Sequence, residues 1–561
     1  MARGDDGMEL KTALDNLNHW ATVKPDEPWL VDLKGGEEQP ITWAEAKAEI
    51  EAVAAALAHR LPGTGRKAAL LSRNRAHWIL ADLAILRSGH MTVPVFTTMR
   101  PDTFRYVLDF SDTELLFLGE ATNWELVKPM VPDHVTIVTL PGVPESEGNV
   151  TWDALVQEGK GLPIPNMPDR NEPATVIFTS GTTGKPKGVM HSLQTLAEAT
   201  YGLTVNSDTE EGWRFFSYLP LAHLAERLII ELHCLASGGV ITFNEGLESF
   251  TDDLRAAKSD YFFGVPRIWE KLVQGVLAGV GGDAAALKAM LTGENAELVA
   301  AGIREKLGFG SVRQLVSTSA PTPPVIKEWF NLFGLEFLDG YGQTEILPIT
   351  TTPKGCEKRG SVGRPSAGIE VRITDEGELI ARGPGCSLGY YKAPDKTAET
   401  FRDGWVYTGD RAEIDEDGYV TLKGRVKETF KTAKGKYVAP GPIETQFLQS
   451  DLIEQAVIVG HGLPQPVLLI VASPHGQALP PKAFEADMRQ LIADINAEQE
   501  HHAQIGAVIL AAEPWTIENG VLTHTMKIRR DRILDRFGAE IEDAASYIGS
   551  GHDLHFRHTG L

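Results

Sequence analysis

The chain is poor in cysteine. Only Cys234, Cys356 and Cys386 occur among 561 residues, and no two of them form a CxxC pair. That excludes a disulfide framework and a zinc ribbon, and it points to a reducing, cytoplasmic setting. Basic charge is also in deficit, with 53 Lys and Arg against 76 Asp and Glu and a net charge of −23. Covering a nucleic acid or anchoring to anionic lipid needs the opposite excess, so neither is an expected partner. Long apolar runs are missing too. The nearest candidate, residues 228–243, is broken by Glu231, His233, Gly238 and Gly239, so no transmembrane segment is expected. The first twenty residues have no apolar core of a secretory signal, and without that route the sequon at Asn149 is incidental.

What is present is ordinary globular composition, 42% hydrophobic and 23% charged, in a chain long enough to bury a large core. Ala46, Ile50, Val53, Leu57 and Leu61 recur at the spacing of an amphipathic helix over 43–61. Short apolar or β-branched runs at 68–71, 92–96, 115–118 and 136–140 read as strands with helical patterns between them. This alternation predicts an α/β fold with largely parallel sheets. Beyond residue 368 the texture changes to alternating hairpins, around Asp375-Glu376-Gly377 and around Asp417-Gly418. A boundary is expected after the second, giving a large unit at 1–424 and a small α+β unit at 425–561.

The most informative segment is TSGTTGKPKGV at 179–189, which follows the apolar run 176–178. Gly181 and Gly184 let backbone N–H groups turn inward as an anion nest. Thr179, Ser180, Thr182 and Thr183 add hydroxyls, and Lys185 and Lys187 add charge, a set suited to a polyphosphate. The spacing is not that of a Walker A loop. Read alone, YTGD at 407–410 is an exposed turn aspartate, YGQTE at 341–345 a helix-entry glutamate, and GRVKETFK at 424–431 a solvated basic stretch.

Together these motifs resemble the adenylate-forming superfamily, which includes acyl-CoA synthetases, peptide-synthetase adenylation domains and luciferases. LTHTMKIR at 522–529 completes the series in the family's order, and the resemblance runs from about residue 41 to about 547. It implies a large N-terminal adenylate-forming domain with mainly parallel sheets and a small β-barrel-like part, followed by a mobile α+β C-terminal domain. It also implies ATP, Mg²⁺ and coenzyme A as cofactor and co-substrates. Thr179, Ser180, Gly181, Thr182, Thr183, Gly184 and Lys187 would hold the phosphates. Asp339, Gly340, Tyr341 and Thr344 would line the adenine and α-phosphate, and Asp410 would accept the ribose hydroxyls. Arg425, Lys427 and Lys431 would reach the nucleotide from the domain junction, with Lys427 also at the hinge. Glu345, with Thr179 as second choice, would contact magnesium. Lys527 would be the adenylation lysine, in a Met526-Lys527-Ile528-Arg529 context where the family more usually has Gly-Lys.

SYLPLAHLAER at 217–227, FFGVPRIWEK at 262–271 and VAPGPIE at 438–444 are similar to long-chain fatty acyl-CoA synthetases. That places His223 near the acid and implies a medium- or long-chain fatty acid as substrate. Only 34 residues follow Lys527, fewer than a carrier domain, so coenzyme A is the expected acceptor. The alternatives are a ligase loading a separate acyl carrier protein, a CoA ligase for an aromatic or sulfur-containing acid, and an ATP-binding regulator without catalysis. A homodimer is left open. His552, His555 and His558 are spaced for one helix face, but a disordered terminus is expected there in place of a metal site.

Overall fold

The computed structural model describes residues 10–179, 186–319, 322–517, 519–523, 527–548 and 554–559. A seven-stranded sheet is built on Lys67–Leu71, Met91–Val95 and Thr113–Leu118, with Pro173–Thr179 and Lys187–Ser192 at one edge. All its pairs are parallel except the last, where 173–179 meets 187–192 antiparallel. A nine-stranded sheet has a parallel centre, Arg214–Ser217, Tyr261–Gly264, Gln314–Ser317 and Phe337–Gln343, and antiparallel edges. The four runs read as strands from the sequence are strands, each shifted by a residue or two. The parallel, mainly α/β architecture is as expected.

The helix Trp43–Arg60 starts where Thr42 and Glu45 form a reciprocal capping box. The helix Ala76–Arg87 is buried nearly all round, from Ala76 to Leu86, the pattern of a helix enclosed by other layers. It shares one core with Trp29, Trp43, Leu70, Leu228 and Ile241, drawn from both large sheets. Residues 228–243, the apolar run, form part of a π-helix Arg227–Leu232, a short helix His233–Ser237 and the strand Val240–Phe243. Among the described residues no helix is long and apolar enough to cross a membrane.

Two expectations need correction. The barrel-like part is an open five-stranded antiparallel sheet, not a closed barrel. Its long strand Trp405–Ile414 pairs first with Glu378–Arg382 and Phe401–Arg402, then with Val420–Arg425. The outer strands Glu370–Ile373 and Val420–Arg425 have no pairing with each other, so the sheet keeps free edges. The histidine tail is not disordered throughout: His555–His558 adds a parallel edge strand to Ala507–Leu510. Pairing of main-chain groups, with Phe556 packed on the local core, holds a segment whose composition gave no strand period. His552 lies outside the described residues.

That edge strand belongs to a four-stranded sheet, with Ile453–Val459 and Val467–Ala472, covered by the helices Pro440–Phe447, Pro481–Ala497 and Arg530–Ile548. Arg530 ties it together, donating to Glu444 at 2.6 Å and to the Ile458 carbonyl at 2.9 Å, with Glu428 at 3.5 Å. It touches the larger part through an Arg267–Glu454 ion pair at 3.0 Å.

Candidate active site

The C-terminal ends of Pro173–Thr179, Gln314–Ser317 and Phe337–Gln343 open on a cleft of about 2010 Å³, closed on its far side by the small sheet and by residues 520–523 and 527–530. Of the residues expected at the site, the cleft brings together Thr179, Lys187, His223, Asp339, Gly340, Tyr341, Thr344, Glu345, Asp410, Arg425, Lys427 and Lys527. Lys431 is not among its lining residues; its ammonium lies over the Tyr437 ring, 5.5 Å from the centroid. Ser180, Gly181, Thr182, Thr183 and Gly184 lie outside the described residues.

Asp410 is the most heavily bonded group. Tyr341 donates to its Oδ2 at 2.5 Å and Gln343 Nε2 at 2.7 Å, while Arg425 Nε stands 2.9 Å from Oδ1. The register that pairs Asp410 with Arg425 across neighbouring strands makes that ion pair. Burial and the Asp410 charge push the Tyr341 phenol well above its ordinary range, so it stays a donor.

Glu345 sits in the turn between Phe337–Gln343 and Ile346–Thr351. Its Oε1 accepts from the Tyr390 hydroxyl at 2.7 Å, and the Lys187 ammonium lies over that same ring at 4.7 Å. Partial burial and then Lys396 lower the Lys187 pKa, with Glu345 opposing. Next to Glu345, the Thr344 carbonyl is 2.7 Å from His191 Nε2. Burial keeps this imidazole neutral, its pKa lowered to about 4. Asp339 is held by Lys327, which also faces Glu357 at 3.5 Å, and Gly340 accepts from Thr318 Oγ1 at 2.7 Å.

His223 caps a helical turn, its Nδ1 accepting from the Ala225 N–H at 3.1 Å. Burial, and secondarily the Lys527 charge, lower its pKa to about 4. Lys527 itself, just ahead of the helix Arg530–Ile548, lines the cleft. The cleft walls desolvate it and Arg425 repels it, which lowers its pKa; Asp410, Glu428 and Glu345 pull the other way. Arg529, its rival by position, is engaged with Asp531 at 3.0 Å.

Gln343, Tyr390, His191 and Lys327 were not singled out from the sequence. Gln343 was legible in principle, since it lies within YGQTE. The other three reach the site only through tertiary packing and carry no local pattern.

A family profile described as AMP-binding enzyme matches residues 17–391, and one described as AMP-binding enzyme C-terminal domain matches 427–547. The long-chain-fatty-acid–CoA ligase FadD15 of Mycobacterium bovis is 30% identical, over 92% of this chain and 94% of its own length. The peroxisomal long chain acyl-CoA synthetase 6 of Arabidopsis thaliana is 28% identical, over 98% and 88%. The adenylation domain of a carboxylate reductase from Mycobacterium chelonae has the same fold, with a TM-score of 0.81 over 96% of this chain and 91% of that one at 22% identity.

Proposed function

The chain belongs to the AMP-binding enzyme family, and on that premise we propose that it activates a medium- or long-chain fatty acid and joins it to coenzyme A. The acid carboxylate attacks the α-phosphorus of ATP, the bond to the bridging oxygen breaks, and diphosphate leaves with its electron pair. The acyl adenylate is then attacked at its carbonyl carbon by the coenzyme A thiolate, and AMP departs. The observation that carries this reading is the meeting, in one cleft, of the Asp410 hub, Glu345 and the Lys527 ammonium.

Each group has work to do. Asp410, already oriented by Tyr341, Gln343 and Arg425, receives the ribose hydroxyls. Asp339, Gly340, Tyr341 and Thr344 line the base and α-phosphate, and Lys187 and the 179–184 loop hold the phosphates. Lys427, exposed in the cleft, contacts the nucleotide and serves as hinge for a C-terminal domain of residues 425–561. Lys527 offsets repulsion between carboxylate and phosphate and stabilises the charge that develops as they join. A compact ammonium on a flexible stem suits a group that must withdraw for the second step. His223, neutral and at the acid end, hydrogen-bonds without adding charge.

A magnesium ion fits the donors present. Tyr390 occupies only one oxygen of Glu345, leaving a hard oxygen ligand in the cleft that Thr179 also lines, for an ion held mainly by phosphates. When bound, it neutralises phosphate charge. Coenzyme A as acceptor is supported by the relatives, whose names are those of CoA ligases.

The test is AMP release from ATP across acids from acetate to oleate, with aromatic acids included, in the presence and absence of coenzyme A. Turnover that needs coenzyme A and is faster with medium- or long-chain acids than with acetate or the aromatic acids is the expected result. Diphosphate release that coenzyme A does not accelerate would replace this acceptor with a carrier protein, and no AMP from any acid would overturn the reading.

A further inference from the structure

Residues 218–223 leave the strand Arg214–Ser217 and carry His223 to the cleft before a helical turn begins at Leu224. Their main chain lies outside any sheet ladder, so its buried N–H and C=O groups need other partners. Two side chains supply them. Glu226 Oε1 accepts from the Tyr218 N–H at 3.1 Å and from Ser217 Oγ at 2.8 Å, which closes the loop on itself. The other is Asn74, a buried residue from a different part of the fold. It lies between the strand Lys67–Leu71 and the helix Ala76–Arg87, and so belongs to the seven-stranded sheet.

Asn74 Nδ2 donates to the Leu219 carbonyl at 2.6 Å and to Ser217 Oγ at 2.8 Å, and its Oδ1 accepts from the Leu221 N–H at 3.1 Å. Every one of these bonds goes to the one loop. The set also fixes which way the amide faces, because a flipped group would put NH₂ against an N–H and oxygen against a carbonyl. Asn74 is itself held on both sides. The Arg73 N–H donates to the Glu120 carbonyl at 2.7 Å, and the Ala76 N–H donates to Asp32 Oδ1 at 2.9 Å.

Past Leu221 the chain turns, with the His223 N–H donating to the Pro220 carbonyl at 2.9 Å. His223 Nδ1 then accepts from the Ala225 N–H, so in the neutral ring the hydrogen sits on Nε2. That nitrogen is the one left to donate to an acid oxygen. We propose that Asn74 is a positioning residue for acid activation: by setting the course of residues 217–221 it fixes where His223 presents its Nε2–H. Asn74 is not among the residues that line the cleft, so it acts through the loop. This rests on the acid-activating reading and adds to it a residue remote from the acid.

The experiment is a double-mutant cycle of Asn74→Ala and His223→Ala, read by acid-dependent ATP–diphosphate exchange with the fastest acid of the acetate-to-oleate series. Misplacing a group at the reacting centre by about 1 Å can cost about a hundredfold. Asn74→Ala is therefore expected to lower kcat/KM for the acid by about tenfold to a hundredfold, with KM for ATP near the wild-type value. In the His223→Ala background the same change should cost about twofold or less, because the group it positions is gone. Asn74→Asp keeps the size and the acceptor for Leu221 but loses at least one donor. It carries the same comparison if urea denaturation shows Asn74→Ala to be unfolded. A loss of equal size in both backgrounds would make Asn74 a support of the fold alone and overturn the proposal. A His223→Ala protein as active as wild type would overturn it too. No exchange by the wild type with any acid would instead bring down the acid-activating reading.

Discussion

Tyr341 and Asp410 lie 69 residues apart and on different sheets, yet the phenol donates to the carboxylate at 2.5 Å. Gln343 donates to the same oxygen, and Arg425 guards the other. Asp410→Asn removes the charge and turns an NH₂ toward groups that are all donors. Charge-assisted bonds are worth about 1.5–3 kcal/mol each, so KM for ATP should rise about tenfold to a hundredfold, with less change in kcat. Tyr341→Phe should be milder, because Gln343 still holds the oxygen. Steady-state kinetics with varied ATP checks both, and an unaltered KM in a folded Asp410→Asn protein would remove Asp410 from nucleotide binding.

Lys527 separates the two half-reactions. Lys527→Ala should lower acid-dependent ATP–diphosphate exchange by about a hundredfold or more, the scale of losing one group that stabilises developing charge. Thioester formation from supplied acyl adenylate should be nearly unchanged. The charged form is the active one, so the rate falls as pH rises through the Lys527 pKa, which the cleft walls and Arg425 lower below the ordinary lysine value. Lys527→Arg keeps its charge throughout, and any residual exchange should lose that alkaline limb. Equal damage to both half-reactions would count against this division.

The strands at 67–71, 91–95, 113–118 and 136–139 were legible because parallel strands buried on both faces read as continuous apolar runs. Asp410, Glu345 and Lys527 were legible only because short motifs announce them. Neither signal reaches His191 or Lys327, whose partners Thr344 and Asp339 are 153 and 12 residues away. The open form of the five-stranded sheet was hidden for a similar reason. Hairpin turns fix which strands are neighbours, but closure depends on whether Glu370–Ile373 and Val420–Arg425 meet. No local pattern encodes that.

The π-helical turn Arg227–Leu232 exists around a buried charge. Arg227 pairs with Asp82 at 2.5 Å, faces Glu231 at 3.5 Å and donates to Thr175 at 3.1 Å, with all three charged side chains shielded from solvent. Arg227→Met leaves Asp82 buried without a counter-charge, a loss of about 3–5 kcal/mol. Urea denaturation should register it as a lowered midpoint. The double variant Arg227→Met, Asp82→Leu should recover part of the loss, since apolar replacement of a whole buried pair is often close to neutral. A single variant as stable as wild type would mean that water or rearrangement compensates the carboxylate.

Glu226, three residues from His223, gives stability a pH dependence of definite sign. Ser217 Oγ and the Tyr218 N–H donate to its Oε1 at 2.8 and 3.1 Å, but its Oε2 has no partner among the described residues. Burial raises its pKa from 4.5 to about 8, against those hydrogen bonds. The folded chain therefore holds this proton where the unfolded chain has released it. The stability it contributes is complete below about pH 4.5, declines as pH rises and is gone above about pH 8, a change of at most about 5 kcal/mol. Glu226→Gln keeps an acceptor for Ser217 and Tyr218 but cannot ionise. Between about pH 6 and pH 8.5 the urea midpoint of the wild type should fall more than that of the variant. Parallel midpoints for the two proteins over that interval would show that Glu226 is already ionised in the folded state, and that water reaches it to support the charge.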